Sequence, residues 1–169
     1  MRNLITYEEI SQLARPCTTD EDLAKAMIAE AQRVEIKPRL GDALYLKLTD
    51  DSPEDRFNVL LNGGKWEDSC GDHLLTGIKT ALAYYALARI TRDGNIQETR
   101  YGSAVKDDQY SMDPEKTERQ RQYRELFSQA DSYMAEALNY LAHNRQTFPE
   151  YKTCAKMRSN RMTIRTIGK

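Results

Sequence analysis

Apolar positions recur at helical spacing along the first part of the chain, between residues that cap or break helices. The first segment follows Thr6, which precedes Glu9 by three residues in the spacing of a capping box. The second follows Asp20 and should end at Pro38, because proline disfavours a helical residue before it. The third starts near residues 52–55 and should end at the glycines that follow Asn62. The pattern therefore predicts a series of short helices.

Two longer helical segments follow, and they contain most of the predicted core. The first spans about 72–93, with Gly94 at the expected C-cap, and its centre at 81–88 is apolar on nearly all sides. The second spans about 113–144 and would exceed roughly 40 Å at about 1.5 Å per residue. A helix without a polar face must be surrounded by protein, so we expect these two helices to pack together. The predicted core side chains are Leu75, Ile78, Leu82, Tyr85, Phe127, Tyr133 and Leu141.

Residues 95–112 interrupt this regularity. They lose the apolar periodicity and contain Gly102 among polar groups, which indicates a long loop or a small hairpin. Long loops are often contact surfaces, so we interpret this one as a candidate contact with a sister subunit or a tail protein. Its candidate contact residues are Arg100, Tyr101, Lys106 and Tyr110. Since no other part of the body shows a strand pattern, the fold class predicted is all-α, a bundle of about five to six helices.

Charge divides the chain into an acidic body, residues 1–150, and an extended basic C-terminal arm, residues 151–169. The arm carries six Lys or Arg and no acid, which leaves nineteen of the 25 basic residues and all 26 acidic residues in the body. Such a split indicates that one end contacts another molecule. Residues 162–167 alternate apolar and polar side chains in the manner of an added β-strand. The candidate contact residues of the arm are Tyr151, Lys152, Lys156, Arg158, Arg161, Ile164, Arg165, Ile167 and Lys169.

Candidate catalytic and metal-binding motifs are incomplete. A phosphate loop around Gly64 and Lys65 would need a glycine where Val59 stands. Cys70 and His73 have the spacing of half a zinc site, but a closed site needs four ligands. The two histidines have no neighbouring motif that would orient them as bases. We therefore predict no enzyme activity, no cofactor and no metal.

Cysteine usage and hydropathy bear on location. Three cysteines, an odd number at wide spacing, argue against a disulfide framework and favour a reducing compartment. The chain contains neither a run of eighteen apolar residues nor a signal-like N-terminus, so we expect no membrane contact and assembly inside a cell.

Seven short segments, taken in order, carry a family resemblance. They are residues 4–10 (LITYEEI), 36–45 (IKPRLGDALY), 60–64 (LLNGG), 77–85 (GIKTALAYY), 99–102, 106–111 and 148–151. Together they resemble the head-tail connector, or adaptor, proteins of tailed phages. The likeness is closest to the connectors of phages and prophages of Bacteroides-type gut bacteria, including crAss-like phages, and it extends to about residue 151.

The resemblance implies a small helical subunit of a homo-oligomeric, commonly dodecameric, ring in the neck of a virion that is assembled in the cytoplasm of a bacterial host. Its partners would be the portal protein, further tail or ring proteins, and genomic DNA that passes through the channel without specific binding. The arm would dock on the portal or on a neighbouring subunit. An acidic channel wall suits that role, because negative side chains within a Debye length of about 8 Å repel phosphates.

A different function stays open at this point. A DNA-binding or packaging accessory protein could use the basic arm as a phosphate clamp.

Overall fold

The computed structural model describes residues 2–68, 71–93, 96–99, 102–105 and 116–151, and these residues are mostly helical. The α-helices are α1 (Tyr7–Leu13), α2 (Glu21–Ala31), α3 (Lys37–Leu40), α4 (Asp42–Leu48), α5 (Asn58–Asn62), α6 (Ile78–Asp93) and α7 (Lys116–His143). The strands are β1 (Gly64–Asp68), β2 (Gly71–Leu75), β3 (Ile96–Thr99) and β4 (Gly102–Val105). A π-helical turn, Gln32–Ile36, precedes α3, and a 3-10 turn, Asp55–Phe57, precedes α5.

The helix starts near the N-terminus are those that the sequence predicts. Thr6 accepts a hydrogen bond from the backbone N–H of Glu9, whose side chain accepts one from the backbone N–H of Thr6, so the capping box of α1 is complete. Asp20 caps α2 by accepting from two backbone N–H groups of the first turn. Both caps are local, which is why sequence alone predicts them.

The sequence predicted that the second helix ends at Pro38. The helix instead continues past this residue. The backbone N–H of Lys37 donates to the carbonyl of Gln32, five residues earlier, and this wider turn carries the helix into α3. Pro38 then occupies the first turn of α3, where its missing N–H costs little. The break comes instead at Gly41, which has a φ of 81°.

The prediction of an all-α body is wrong at residues 64–75. These residues form an antiparallel hairpin, β1–β2, in which Gly64 pairs with Leu75 and Asp68 with Gly71. The helix predicted to start near Asp72 therefore begins only at Ile78, after Gly77 with a φ of 94°. The strands were missed because their exposed face carries charged residues and each strand is only five residues long.

A second hairpin lies within 95–112. Strands β3 and β4 pair antiparallel with Ile96 opposite Val105, so the small hairpin expected in this region is present. The four contact residues predicted there, Arg100, Tyr101, Lys106 and Tyr110, lie outside the described residues, as does the predicted C-cap Gly94.

The centre of the molecule is the contact between α6 and α7, with α1 and α2 also packed on α6. Of the predicted core side chains, Leu75, Ile78, Leu82, Tyr85 and Leu141 are buried. Phe127 and Tyr133 are half-buried and pack at the margin, with ring centroids 5.0 Å from Tyr85 and 5.3 Å from Tyr84 respectively. The helix that sequence describes as apolar on nearly all sides is thus covered by its own domain.

Three polar side chains are buried among the described residues, Gln32, Thr49 and Arg89, and two of them join separate elements. Gln32 accepts from the backbone N–H of Leu4 and donates to the carbonyl of Arg2, which ties the N-terminal segment to the start of the π-helical turn. Arg89 of α6 lies between Glu30 and Glu35 and forms an ion pair with each. Such pairs specify one packing arrangement more than they add net stability.

Candidate interaction surfaces

The β1–β2 hairpin has two chemically different faces. Because strand side chains alternate, the pairs Trp66–His73 and Gly64–Leu75 lie on one face, and Lys65–Leu74 and Glu67–Asp72 lie on the other. The first face is buried or half-buried, while all four side chains of the second face are exposed. We call these the inner and the outer face.

The inner face attaches the hairpin to the C-terminal end of α7. The Trp66 ring stacks on His73 with centroids 4.6 Å apart and meets the edge of Tyr140 at 5.3 Å. His143 contributes a third ring at 5.5 Å from Trp66. Burial raises the pKa of the Tyr140 phenol, so that side chain stays neutral in this cluster. The hairpin is therefore attached to α7 mainly by contacts between a few aromatic rings.

A carboxylate joins the two histidines of the chain. The Nε2 atom of His73 lies 2.9 Å from one oxygen of Asp68, and the Nε2 atom of His143 lies 3.6 Å from the other. This arrangement places His73 against an acid on β1, while Cys70, whose spacing from His73 is that of half a zinc site, lies outside the described residues. Within the described ranges, no group of three or more His, Cys, Asp or Glu is arranged to hold a metal ion.

The outer face carries an unfavourable arrangement of charge. Glu67 and Asp72 stand directly opposite each other across the two strands, and like charges in that position destabilise a hairpin. Beside them Leu74 is 74% exposed, the largest value among the exposed large hydrophobic side chains. The two strands pair only with each other among the described residues. This face therefore carries an acidic pair and an exposed leucine. The hairpin that presents it has no further strand partner among the described residues.

Two further exposed apolar side chains lie on other elements. Val34, in the π-helical turn, is 52% exposed, and Leu46, on α4, is 56% exposed. Both elements pack on α3, whereas the β1–β2 hairpin packs mainly on α5 and α7. The body thus presents apolar side chains in two separate regions.

The root of the C-terminal arm is fixed to the body. Arg56 binds both oxygens of Glu150 and donates to the carbonyl of Thr147. The hydrogen bond from Arg56 lowers the pKa of the Glu150 carboxyl below its ordinary value, so the pair stays charged at neutral pH. Phe148 is fully buried, with its ring 5.9 Å from Phe57 and 5.7 Å from Tyr140.

The structure therefore holds the chain in place through Tyr151, which is half-buried against the core. Tyr151 is the first residue that the charge pattern assigned to the arm. The remaining arm residues named above, from Lys152 to Lys169, lie outside the described residues.

A single described cysteine offers little chemistry. Burial raises the pKa of the Cys17 thiol, which disfavours the thiolate that nucleophilic catalysis needs. None of the described helices combines the length and the apolar character of a membrane span.

Comparison with protein families shows a match. A family profile covers residues 36–161 and is described as a family of unknown function, DUF6712. The chain belongs to this family. The DUF6712 match includes both hairpins, α6 and α7, and it continues into the basic arm. Neither a search of curated proteins nor a search of solved structures found a match.

Sequence reasoning missed the inner-face cluster and the outer-face acids. A signal was available, because Trp66 stands between the charged residues Lys65 and Glu67 and a glycine opens the following strand. That signal covers only a few residues. The apolar run of α6 follows it directly, so the predicted helix was started too early, near Asp72.

Proposed function

We propose that this DUF6712 protein is a structural subunit of the head-tail connector ring of a tailed phage, located between portal and tail, with its C-terminal arm docking on the portal or on a neighbouring subunit. The resemblance of residues 4–151 to phage connectors motivates the proposal. The structural observation that supports it best is the presence of two separate exposed apolar regions on one helical body.

A ring needs two different surfaces on each subunit. In a cyclic assembly the contact is head-to-tail, so a patch on one copy meets an unlike patch on the next. The region of Val34 and Leu46 and the region of Leu74 are unlike in sequence and lie on different elements. They are suited to such a contact, since exposed apolar side chains gain free energy when a partner covers them.

The arm suits a docking role because its root is held and its charge is concentrated. The fork of Arg56 on Glu150 and the buried ring of Phe148 set the position from which the arm leaves the body. Six basic side chains then follow within nineteen residues. An arm of this kind attaches to an acidic surface of another subunit without any change in the body.

The proposal is tested by sedimentation velocity with the portal protein encoded in the same genome. The full-length chain should co-sediment with the portal, and a version that ends at Tyr151 should not. We choose Tyr151 as the end point so that Glu150 and Phe148 keep their contacts with the body. Circular dichroism should show the same helix content per residue of the body in both versions.

A charge-reversed arm serves as the control for truncation. A full-length chain with Lys156→Glu and Arg158→Glu keeps the length of the arm and should also lose most portal binding. Retention of binding by both arm variants, or absence of binding by the wild-type chain, would reject the connector role for the arm.

The same samples test the DNA-binding alternative. Six phosphate contacts would weaken the affinity for DNA roughly 10³-fold between 50 and 200 mM salt. DNA binding with that salt dependence, lost on truncation at Tyr151, would favour a packaging accessory protein.

A further inference from the structure

We propose that the outer face of the β1–β2 hairpin is the docking site for the C-terminal arm of a second copy of this chain. In this arrangement residues 161–167 add as a strand along the free edge of β2, with Arg165 beside Asp72 and Ile167 beside Leu74. The inference rests on the proposed function in one respect, because it concerns contacts between neighbouring subunits.

The acceptor is built from three features of the hairpin. The acids Glu67 and Asp72 stand opposite each other and repel, so a cation between neighbouring strands relieves an unfavourable pair. Leu74 lies two residues beyond Asp72 and therefore on the same face. The hairpin has no further strand partner among the described residues, which leaves backbone groups available for strand addition.

The donor has matching chemistry at the matching spacing. Four of the six residues in 162–167 are β-branched, the side-chain type most enriched in strands. Arg165 and Ile167 are two residues apart, so in a strand they share one face, as Asp72 and Leu74 do. A parallel alignment with β2 thus pairs a cation with an acid and an apolar side chain with an apolar side chain.

The position of the arm's root favours a second copy over the chain's own arm. Phe148 contacts Tyr140, and Tyr140 contacts Trp66 on the inner face of the hairpin. Phe148, three residues before the start of the arm, therefore lies on the side of the hairpin opposite to Glu67, Asp72 and Leu74. When a neighbouring copy supplies the arm, each subunit donates one arm and accepts another, as a closed ring requires.

The test uses charge reversal on each side of the contact, in the full chain. Sedimentation velocity over a concentration series would compare wild type, Asp72→Lys, Arg165→Glu and the double variant that carries both changes. Arg15→Glu is the matched control, since it makes the same charge change as Arg165→Glu at an exposed residue of the body outside the docking site. Asp72 is exposed, and the Asp72→Lys side chain faces Glu67, so the fold should be kept.

We expect the wild type and Arg15→Glu to self-associate at similar concentrations. Each single reversal should weaken self-association about tenfold or more, because like charges at a contact are strongly unfavourable. The double variant should associate like wild type, and an equimolar mixture of the two single variants should also recover, because each arm then meets a complementary hairpin.

Three results would overturn the inference. They are a wild type that stays monomeric at every concentration, single variants that behave like Arg15→Glu, and a double variant that does not recover. The portal experiment separates this failure from failure of the connector role. Arm-dependent portal binding with no effect of Asp72→Lys on self-association rejects the hairpin site alone, whereas charge-dependent self-association without portal binding rejects the connector role alone.

Discussion

Helices α6 and α7 meet along side chains that are almost completely buried, whereas the β1–β2 hairpin meets α7 through a few rings and one carboxylate. Leu82 and Ala86 on α6 and Leu141 on α7 have no exposed surface. Among the described residues of the hairpin only Leu75 is buried, and the attachment depends on Trp66 and its neighbours.

The difference shows how this chain separates stability from contact. The free energy of folding comes largely from apolar area buried on the helices, at about 25 cal/mol per Å². The hairpin buries less and keeps one face available for a partner. A region that is attached by few contacts can adapt to a partner without loosening the core, because its opening is energetically local.

The largest expected effect comes from placing a charge in the helical core. Leu82→Asp should lower the free energy of unfolding by about 3–5 kcal/mol or prevent folding, because the new carboxylate is buried without a partner. Leu74→Asp is the matched control on the hairpin and should change stability by only about 0.5 kcal/mol, since Leu74 is exposed. Urea unfolding followed by circular dichroism measures both. Equal losses for the two variants would contradict the division between core and surface.

An intermediate effect is expected where the hairpin joins α6. In Gly77→Ala the new Cβ would lie 2.5 Å from the backbone nitrogen of Gly63, and the φ of 94° is itself strained for alanine. We expect a loss of about 3 kcal/mol in the free energy of unfolding. Gly41→Ala has a similar φ of 81° but open space around the new atom, so it should cost less, about 2 kcal/mol. Similar losses for the two alanines would mean that the close approach at Gly77 relaxes freely.

The smallest expected effect is local to the hairpin. Trp66→Ala removes the ring that contacts His73, Tyr140 and His143, and should cost about 2 kcal/mol because Trp66 is only half-buried. Hydrogen exchange should then speed up in β1 and β2 while the amides of α6 remain protected. Faster exchange throughout α6 would show that the hairpin stabilises the core. That result would contradict the view that the hairpin opens without loosening α6 and α7.

Sequence predicted the helices well where their signals are local. The capping box at Thr6, the end of α5 at Asn62 and the end of α7 near Asn144 each depend on residues within one turn. It predicted the wrong end for the second helix, because the π-helical turn at Gln32–Ile36 depends on packing and on the hydrogen bonds of Gln32.

The candidate site was less accessible from sequence. The arm and its charge follow directly from composition, but its candidate partner, the outer face of the hairpin, does not. Glu67 and Asp72 are five residues apart in the chain and become a pair only through the register of β1 and β2. His143 lies seventy residues from His73, and only the packing of the hairpin on α7 brings both to Asp68.

The sequence by itself determined the helical class of most of the body, the central α6–α7 pair and the split between acidic body and basic arm. Periodicity and capping depend on residues a few positions apart, and composition does not depend on contacts between residues at all. Tertiary structure decided the hairpin at 64–75, the continuation of the second helix through Pro38 and the convergence of Trp66, Asp68 and both histidines. Those features arise from contacts between residues that are distant in the chain, and their free energies exceed the weak local preferences that the sequence displays.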